Sequence, residues 1–225
     1  MVSIGLNIQQ MEHDPVEWTV YKNVMTFCKY NNIVITEGND YTLEKTNKII
    51  DIQSFIMMKG ILNNTGMDND GNGVPYYIFI FGQKSTTVSK TAFGNKADDI
   101  ANVMGLINEQ KAAIMFVSES SFKANVTRAI ATQKRKKDAM FQIQSVVHDI
   151  FKVDRILTSK FKHEILSTSE ALRVKAQHEK NLTSIPYIPV MDPMVIWIIG
   201  RPKQVVKITH PSLVGCVTVY YRVIR

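Results

Sequence analysis

Two short runs constrain this chain most. Residues 75 to 81 read PYYIFIF, and residues 112 to 117 read AAIMFV. Neither alternates apolar with polar positions. A strand with one wet face alternates with period two, whereas a strand covered on both faces is apolar throughout. Both runs are therefore expected as buried strands of a sheet, covered by helices in a small α/β layer.

The neighbouring segments supply those helices. Asp14 and Pro15 form a helix start, an N-cap acid followed by proline at the first helical position, with Glu17 in the first turn. Trp18, Tyr21, Val24, Met25 and Cys28 then keep a three-to-four spacing. Asn31 and Asn32 end that helix, and IVIT at 33 to 36 predicts a short strand. A second helix is expected over about 42 to 61, on Leu43, Ile49 and Ile50. The spacing of Ile100, Val103, Met104 and Ile107 predicts a further helix. Ser120 and Ser121 can cap another over about 122 to 133, and QIQSVVHDIF at 142 to 151 is expected to leave the unit as a strand.

From residue 155 the texture changes. Ser167 or Thr168, with Glu170 following, caps a helix over 168 to 180. SIPYIPVMDP carries three prolines in ten residues and is expected to be extended. Asp192 and Pro193 then open a short helix. QVVKIT and VTVYYRVI are strand patterns joined by HPSLVG, a connection containing Pro and Gly. The fold class is α+β: an α/β unit over residues 1–152, then a small β-rich unit with short helices over 153–225.

The charge divides in the same way. Residues 1 to 154 hold 16 Lys or Arg and 16 Asp or Glu, whereas residues 155 to 225 hold 11 and 4. The net charge of +7 therefore sits in the second unit. That asymmetry points to an acidic or nucleic-acid partner, against the competing reading of a solvated basic surface. No apolar run approaches the ~20 residues that span a bilayer, so no membrane segment is expected. The first residues lack the basic and apolar regions of a secretory signal. Cys28 and Cys216 stand far apart in apolar patterns and read as buried thiols of a reducing, intracellular compartment.

Chemical motifs are sparse. Asp68, Asp70, Asn72 and Gly73 imitate the first half of a calcium loop, but Phe79 stands where the loop needs its bidentate glutamate. The stretch is read as a turn. The histidines show no zinc spacing, and no nucleophile elbow or phosphate-cradling glycine loop occurs. No metal, cofactor or catalytic residue is assigned. Glu109, Gln110 and Lys111, just before AAIMFV, have the acid-x-Lys form found in magnesium-dependent nucleases. The alternative function is accordingly a stand-alone DNA-binding module or metal-dependent nuclease. Lys134, Arg135, Lys136 and Lys137 form a basic run suited to nucleic-acid phosphates, to nuclear import, or to plain solvation.

The second unit carries a resemblance. KHEILSTSE at 162 to 170, DPMVIWIIGRPKQVVKI at 192 to 208 and a closing Tyr221-Arg222 occur in order, with Pro186 and Ile188 before the Asp-Pro step. This resembles the fifth-subunit family of eukaryotic-type DNA-directed RNA polymerases, whose C-terminal domain is similar to the small archaeal counterpart of that polypeptide. Lys162, His163, Leu166, Ser167 and Glu170 match the family's first segment. Phe161 departs from it, standing where the family has proline. DPVEWTVYKNVMTFCKYNNIVIT and AAIMFVSESSFKANV are similar to the family's jaw domain, which has been likened in fold to nucleases. The jaw's divergence favours a large DNA virus over a cellular source.

The resemblance implies a subunit without catalysis of its own, and not a homo-oligomer. It implies docking on the largest polymerase subunit, alongside other subunits, with a jaw near downstream duplex DNA. Lys162, His163, Asp192, Pro193, Lys207, Tyr221 and Arg222 are the partner-binding candidates, and Lys134 to Lys137 the nucleic-acid candidates. The location implied is the nucleus for a cellular protein, or virion and host cytoplasm for a viral one.

Overall fold

The computed structural model describes residues 15–42, 44–46, 55–63, 73–82, 112–119, 143–180, 184–211 and 217–225. Its first described element is helix α1, Val16–Tyr30. Pro15, expected as the first helical residue, instead occupies the N-cap, and its carbonyl accepts from Thr19 N–H at 3.0 Å. Asp14 lies outside the described residues. Asn31 and Asn32 end the helix, Asn32 in the left-handed region at φ 55°. Asn tolerates that conformation better than most residues.

Five strands follow: β1 (Ile33–Glu37), β2 (Phe55–Leu62), β3 (Val74–Phe81), β4 (Ala113–Ser118) and β5 (Ile143–Val147). They form one sheet in the order β1-β2-β3-β4-β5. The first three pair antiparallel and the last three parallel. PYYIFIF and AAIMFV fall in β3 and β4, and both strands are buried along nearly their whole length.

Each face of the sheet has its own contents. Val20, Val24, Phe27 and Cys28 of α1 pack with Ile56, Met58, Ile78, Ile80, Met115 and Val117 on one face. On the other, Phe55, Phe79, Phe81 and Phe116 form a buried aromatic cluster with centroids 5.5–6.4 Å apart. At about 25 cal/mol per Å² of apolar surface, such two-sided burial is the main force holding the layer.

The helix expected over 42 to 61 is corrected. Residues 44–46 are helical, but Phe55–Leu62 is a strand between β1 and β3. The run FIMMKGIL is buried at positions on both faces, and pairing on both edges makes it a strand. Gly60 makes the β1 approach possible: a Cβ there would stand 2.8 Å from Ile33 Cγ2 and 2.9 Å from the Val34 carbonyl. QIQSVVHDIF is likewise only partly strand, since β5 ends at Val147 and a 3-10 turn takes His148–Ile150. The helices expected near 96–108 and 122–133 lie outside the described residues.

The remaining elements are α2 (Arg155–Thr158), β6 (Lys162–Ile165), α3 (Thr168–Lys180), β7 (Tyr187–Ile188), α4 (Pro193–Trp197), β8 (Val205–Pro211) and β9 (Val217–Ile224). Their sheet has the order β6-β8-β9-β7. Val195, Ile198, Val206, Ile188 and Ile224 form its small core. Among the described residues the architecture is α+β, two β-sheets with two longer helices, α1 and α3, and two short ones, α2 and α4.

Trp197 joins the two layers. Its ring is fully buried against Phe27 (6.1 Å, 83°) and Phe151 (5.4 Å, 43°). Its Nε1 donates to the Ile150 carbonyl at 3.0 Å, and its own carbonyl accepts from Asn31 Nδ2 at 2.9 Å. Just beyond, Ile199 has φ 52°, a costly conformation for a β-branched residue, while its side chain is buried in the same core as Trp197.

Candidate functional site

Five of the seven partner-binding candidates, Lys162, His163, Lys207, Tyr221 and Arg222, fall on the second sheet, and its register explains which of them meet. Glu164 pairs with Lys207, and Lys207 with Tyr221, so one row crosses three strands on one face. Glu164 takes Lys162 Nζ at 2.7 Å and Lys207 Nζ at 4.0 Å on its two oxygens. The hydrogen bond and charge of Glu164 raise the Lys162 ammonium above its ordinary pKa. Screening by solvent keeps such exposed pairs weak.

Helix α3 stands beside this row. Ser167 and Glu170 form a capping box: Ser167 N–H donates to Glu170 Oε2 at 3.1 Å, and Glu170 N–H to Ser167 Oγ at 3.4 Å. The Ser167 bonds also hold the Glu170 carboxyl below the usual carboxylate range. Between helix and sheet lies an open cleft of about 530 Å³, lined by Glu164, Glu170, Arg173, Gln177, Lys207 and Tyr221. Its charges have both signs. Arg222, on the opposite face from Tyr221, donates to the Tyr221 carbonyl at 2.8 Å and lies over the Tyr220 ring at 5.9 Å.

Asp192 and Pro193 sit elsewhere, at the start of α4. Asp192 Oδ1 accepts from Met194 N–H at 2.8 Å and Val195 N–H at 3.4 Å, and Pro193 takes the first helical position. That is the helix-start chemistry read from the sequence. The arrangement orients α4 so that Val195, Ile196 and Trp197 enter the core.

Lys162 and His163 reach a second groove, of about 400 Å³, where the end of α1 meets β6 and β8. Tyr30, Ile156, Phe161, Met194 and Val217 contribute its apolar wall. His163 is nearly buried, its Nδ1 3.2 Å from the Phe161 carbonyl. Tyr30, Phe161 and Met194 are not among the partner-binding candidates that the sequence offers. Tyr30 reads as the tail of an amphipathic helix and is remote in sequence from the rest, so no local pattern marks it.

Among the described residues no group of three or more His, Cys, Asp or Glu is placed to hold a metal ion. Glu109, Gln110 and Lys111, and Lys134, Arg135, Lys136 and Lys137, lie outside the described residues. No described helix is long and apolar enough to cross a membrane. Cys28 is buried, which pushes its thiol up to about 12; Cys216 lies outside the described residues.

Comparison with known proteins meets this same sheet. Residues 157–224 match the family model described as RNA polymerase Rpb5, C-terminal domain. The chain is 36% identical over 61 residues to DNA-directed RNA polymerase subunit Rpo5 of Nitrosopumilus maritimus (strain SCM1), covering 27% of this chain and 74% of that one. The chain belongs to the fifth-subunit family of RNA polymerases. Rpo5 of Metallosphaera sedula is 38% identical over 64 residues, 28% of this chain and 77% of the relative. The fifth-subunit match starts within α2 and takes in the cleft and all of the groove's lining except Tyr30 and Ile156. Inside it, the motif residues hold the module together: Ser167 and Glu170 cap α3, Asp192 caps α4, and Val205 to Ile208 belong to β8, which pairs with both β6 and β9.

Proposed function

We propose that the chain is a non-catalytic subunit of a multisubunit DNA-directed RNA polymerase, acting in transcription inside the cell. The observation that carries this reading is the match over 157–224, which spans the described elements β6 to β9 with α3 and α4. The excess of positive charge in the same segment suits an acidic docking surface.

The finer reading follows from the resemblance. Residues 153–225 act as an assembly domain docking on the largest subunit, with Lys162, His163, Lys207, Tyr221 and Arg222 as contact candidates. Asp192 and Pro193 support that surface through the α4 start. Residues 1–152 act as a jaw near downstream duplex DNA, and Lys134 to Lys137 contact its phosphates. The alternative, a stand-alone DNA-binding module or metal-dependent nuclease, rests on Glu109 and Lys111, which lie outside the described residues.

The test is affinity purification of the tagged full chain from its native source. Polymerase large subunits in near-equal amount are expected. Recovery of the chain alone, or only with DNA, would remove the subunit reading. Neutralising Lys134 to Lys137 should reduce the salt slope of polymerase–DNA binding; an unchanged slope sinks the phosphate contact.

A further inference from the structure

The groove between the end of α1 and the second sheet has three properties that together describe an occupant. It is mainly apolar, walled by Tyr30, Ile156, Phe161, Met194 and Val217. Three of these are large exposed apolar residues: Tyr30 at 42%, Phe161 at 43% and Val217 at 63%. Its ionisable lining is basic, with Lys160, Lys162 and His163 and no carboxylate; Lys162 shares its charge with Glu164, which lines the other cleft, so Lys160 is the unshared ammonium of the groove's lining. By contrast, the cleft beside α3 mixes both signs and offers no preference for either charge.

Phe161 is also held in place. Its ring stacks on His210 at 4.5 Å and 25°. Its N–H donates to Ser159 Oγ at 3.1 Å, and its carbonyl accepts from Ser159 Oγ at 2.9 Å. A half-exposed aromatic fixed at both ring and backbone has little conformational freedom left to lose on binding. Such rigid aromatic anchors in a concave apolar site are where binding energy concentrates.

We propose that this groove binds an acidic segment of a partner polypeptide, one aliphatic or aromatic side chain filling the apolar floor and flanking carboxylates meeting Lys160 and Lys162. This rests on the subunit reading and deepens it, since the partner is then a polymerase component. A groove of about 400 Å³ is of the size that takes one or two side chains of a peptide. Its apolar floor is unsuited to a phosphate backbone, which argues against nucleic acid.

The test replaces Phe161 in the tagged full chain with a photoreactive phenylalanine, and in a parallel chain replaces exposed Leu172 on α3. After irradiation of the assembled complex, the crosslinked segment is sequenced by mass. A position-161 crosslink to one polymerase segment of net negative charge bearing an aliphatic or aromatic residue is expected. Lys160→Glu with Lys162→Glu should weaken capture of that segment about tenfold at low salt, and less at high salt. Polymerase recovered normally, but with position 161 joined to a basic segment, to nucleic acid, to a second copy of this chain or to nothing, overturns the groove and leaves the subunit reading standing. Absence of polymerase subunits overturns both.

Discussion

Removing the Trp197 side chain is the sharpest perturbation of this fold. The indole is fully buried between Phe27 of α1 and Phe151, and Nε1 is bonded to the Ile150 carbonyl. Truncating a buried tryptophan to alanine costs about 3–5 kcal/mol in lost transfer energy and cavity. The stranded Ile150 carbonyl adds about 1 kcal/mol or more. Folded domains have about 5–15 kcal/mol in total, so Trp197→Ala should consume a large part of it. Trp197→Phe keeps much of the ring and loses the hydrogen bond, so its cost should be nearer 1–2 kcal/mol.

Urea unfolding followed by far-UV circular dichroism reads the loss directly. The chain has two tryptophans, so Trp197→Ala leaves Trp18 as the sole indole. Trp18 stacks on Tyr21 at 5.5 Å and reports the first layer. In the natural protein the dichroism and the combined fluorescence of the two indoles should change together. In Trp197→Ala the dichroism should begin to fall at lower urea than the Trp18 signal, because the second sheet has lost its tie to α1. A loss below about 1 kcal/mol, with coincident signals, would refute the claim that Trp197 joins the layers.

Further expectations concern single groups. His148 is buried, its Nε2 2.7 Å from the Phe81 carbonyl and its Nδ1 without a protein partner. Burial, the largest cause, lowers its pKa from the ordinary 6.5. The unfolded chain therefore binds this proton more readily, and the contribution of neutral His148 is full above pH 6.5 and lost as pH falls below it. Unfolding at pH 7 and pH 5 should show that loss, and His148→Gln should reduce it; equal pH slopes would remove His148 as the cause. Cys28, with its thiol pushed up to about 12, should resist iodoacetamide in the native protein and react once unfolded. Labelling of the Cys28 peptide under native conditions contradicts its burial. Gly200→Ala places a Cβ 2.7 Å from both Ile224 Cδ1 and Val195 Cγ1, so the melting temperature should fall by several degrees. An unchanged melting point would mean that α4 and β9 yield more easily than their packing implies.

How much of this was legible depended on how local the cause was. The Ser167–Glu170 box and the Asp192–Pro193 start were readable because a cap acts within three residues. PYYIFIF and AAIMFV were readable because burial on both faces erases alternation. The helix expected over 42 to 61 fails at Phe55–Leu62 because what makes that run a strand, pairing with β1 and β3, is contributed by other parts of the chain. Trp197 stands within an apolar run that gives it no mark of its own. Its role depends on Phe27, Asn31 and Ile150, which no local pattern brings to it. The groove was hidden for the same reason, since Tyr30 and Phe161 become neighbours only when α1 docks beside β6.

On the groove proposal, Lys162 and His163 match the family motif and also line the groove, whereas Asp192 matches the motif without lining it. Asp192 serves its own helix, with its accepting oxygen spent on Met194 and Val195 N–H. Asp192→Ala should cost about 1 kcal/mol through the cap, while Asp192→Asn, which caps equally well, should cost little. If Asp192 acts only as a cap, Asp192→Asn assembles with polymerase normally, and Asp192→Ala fails only where the fold itself weakens. Lys160→Glu with Lys162→Glu should do the reverse, lowering the melting temperature only by the weak exposed Lys162–Glu164 pair it breaks, and weakening assembly. Loss of assembly in Asp192→Asn at unchanged stability would make this carboxylate a partner contact after all, and would move the interface from the groove toward the start of α4.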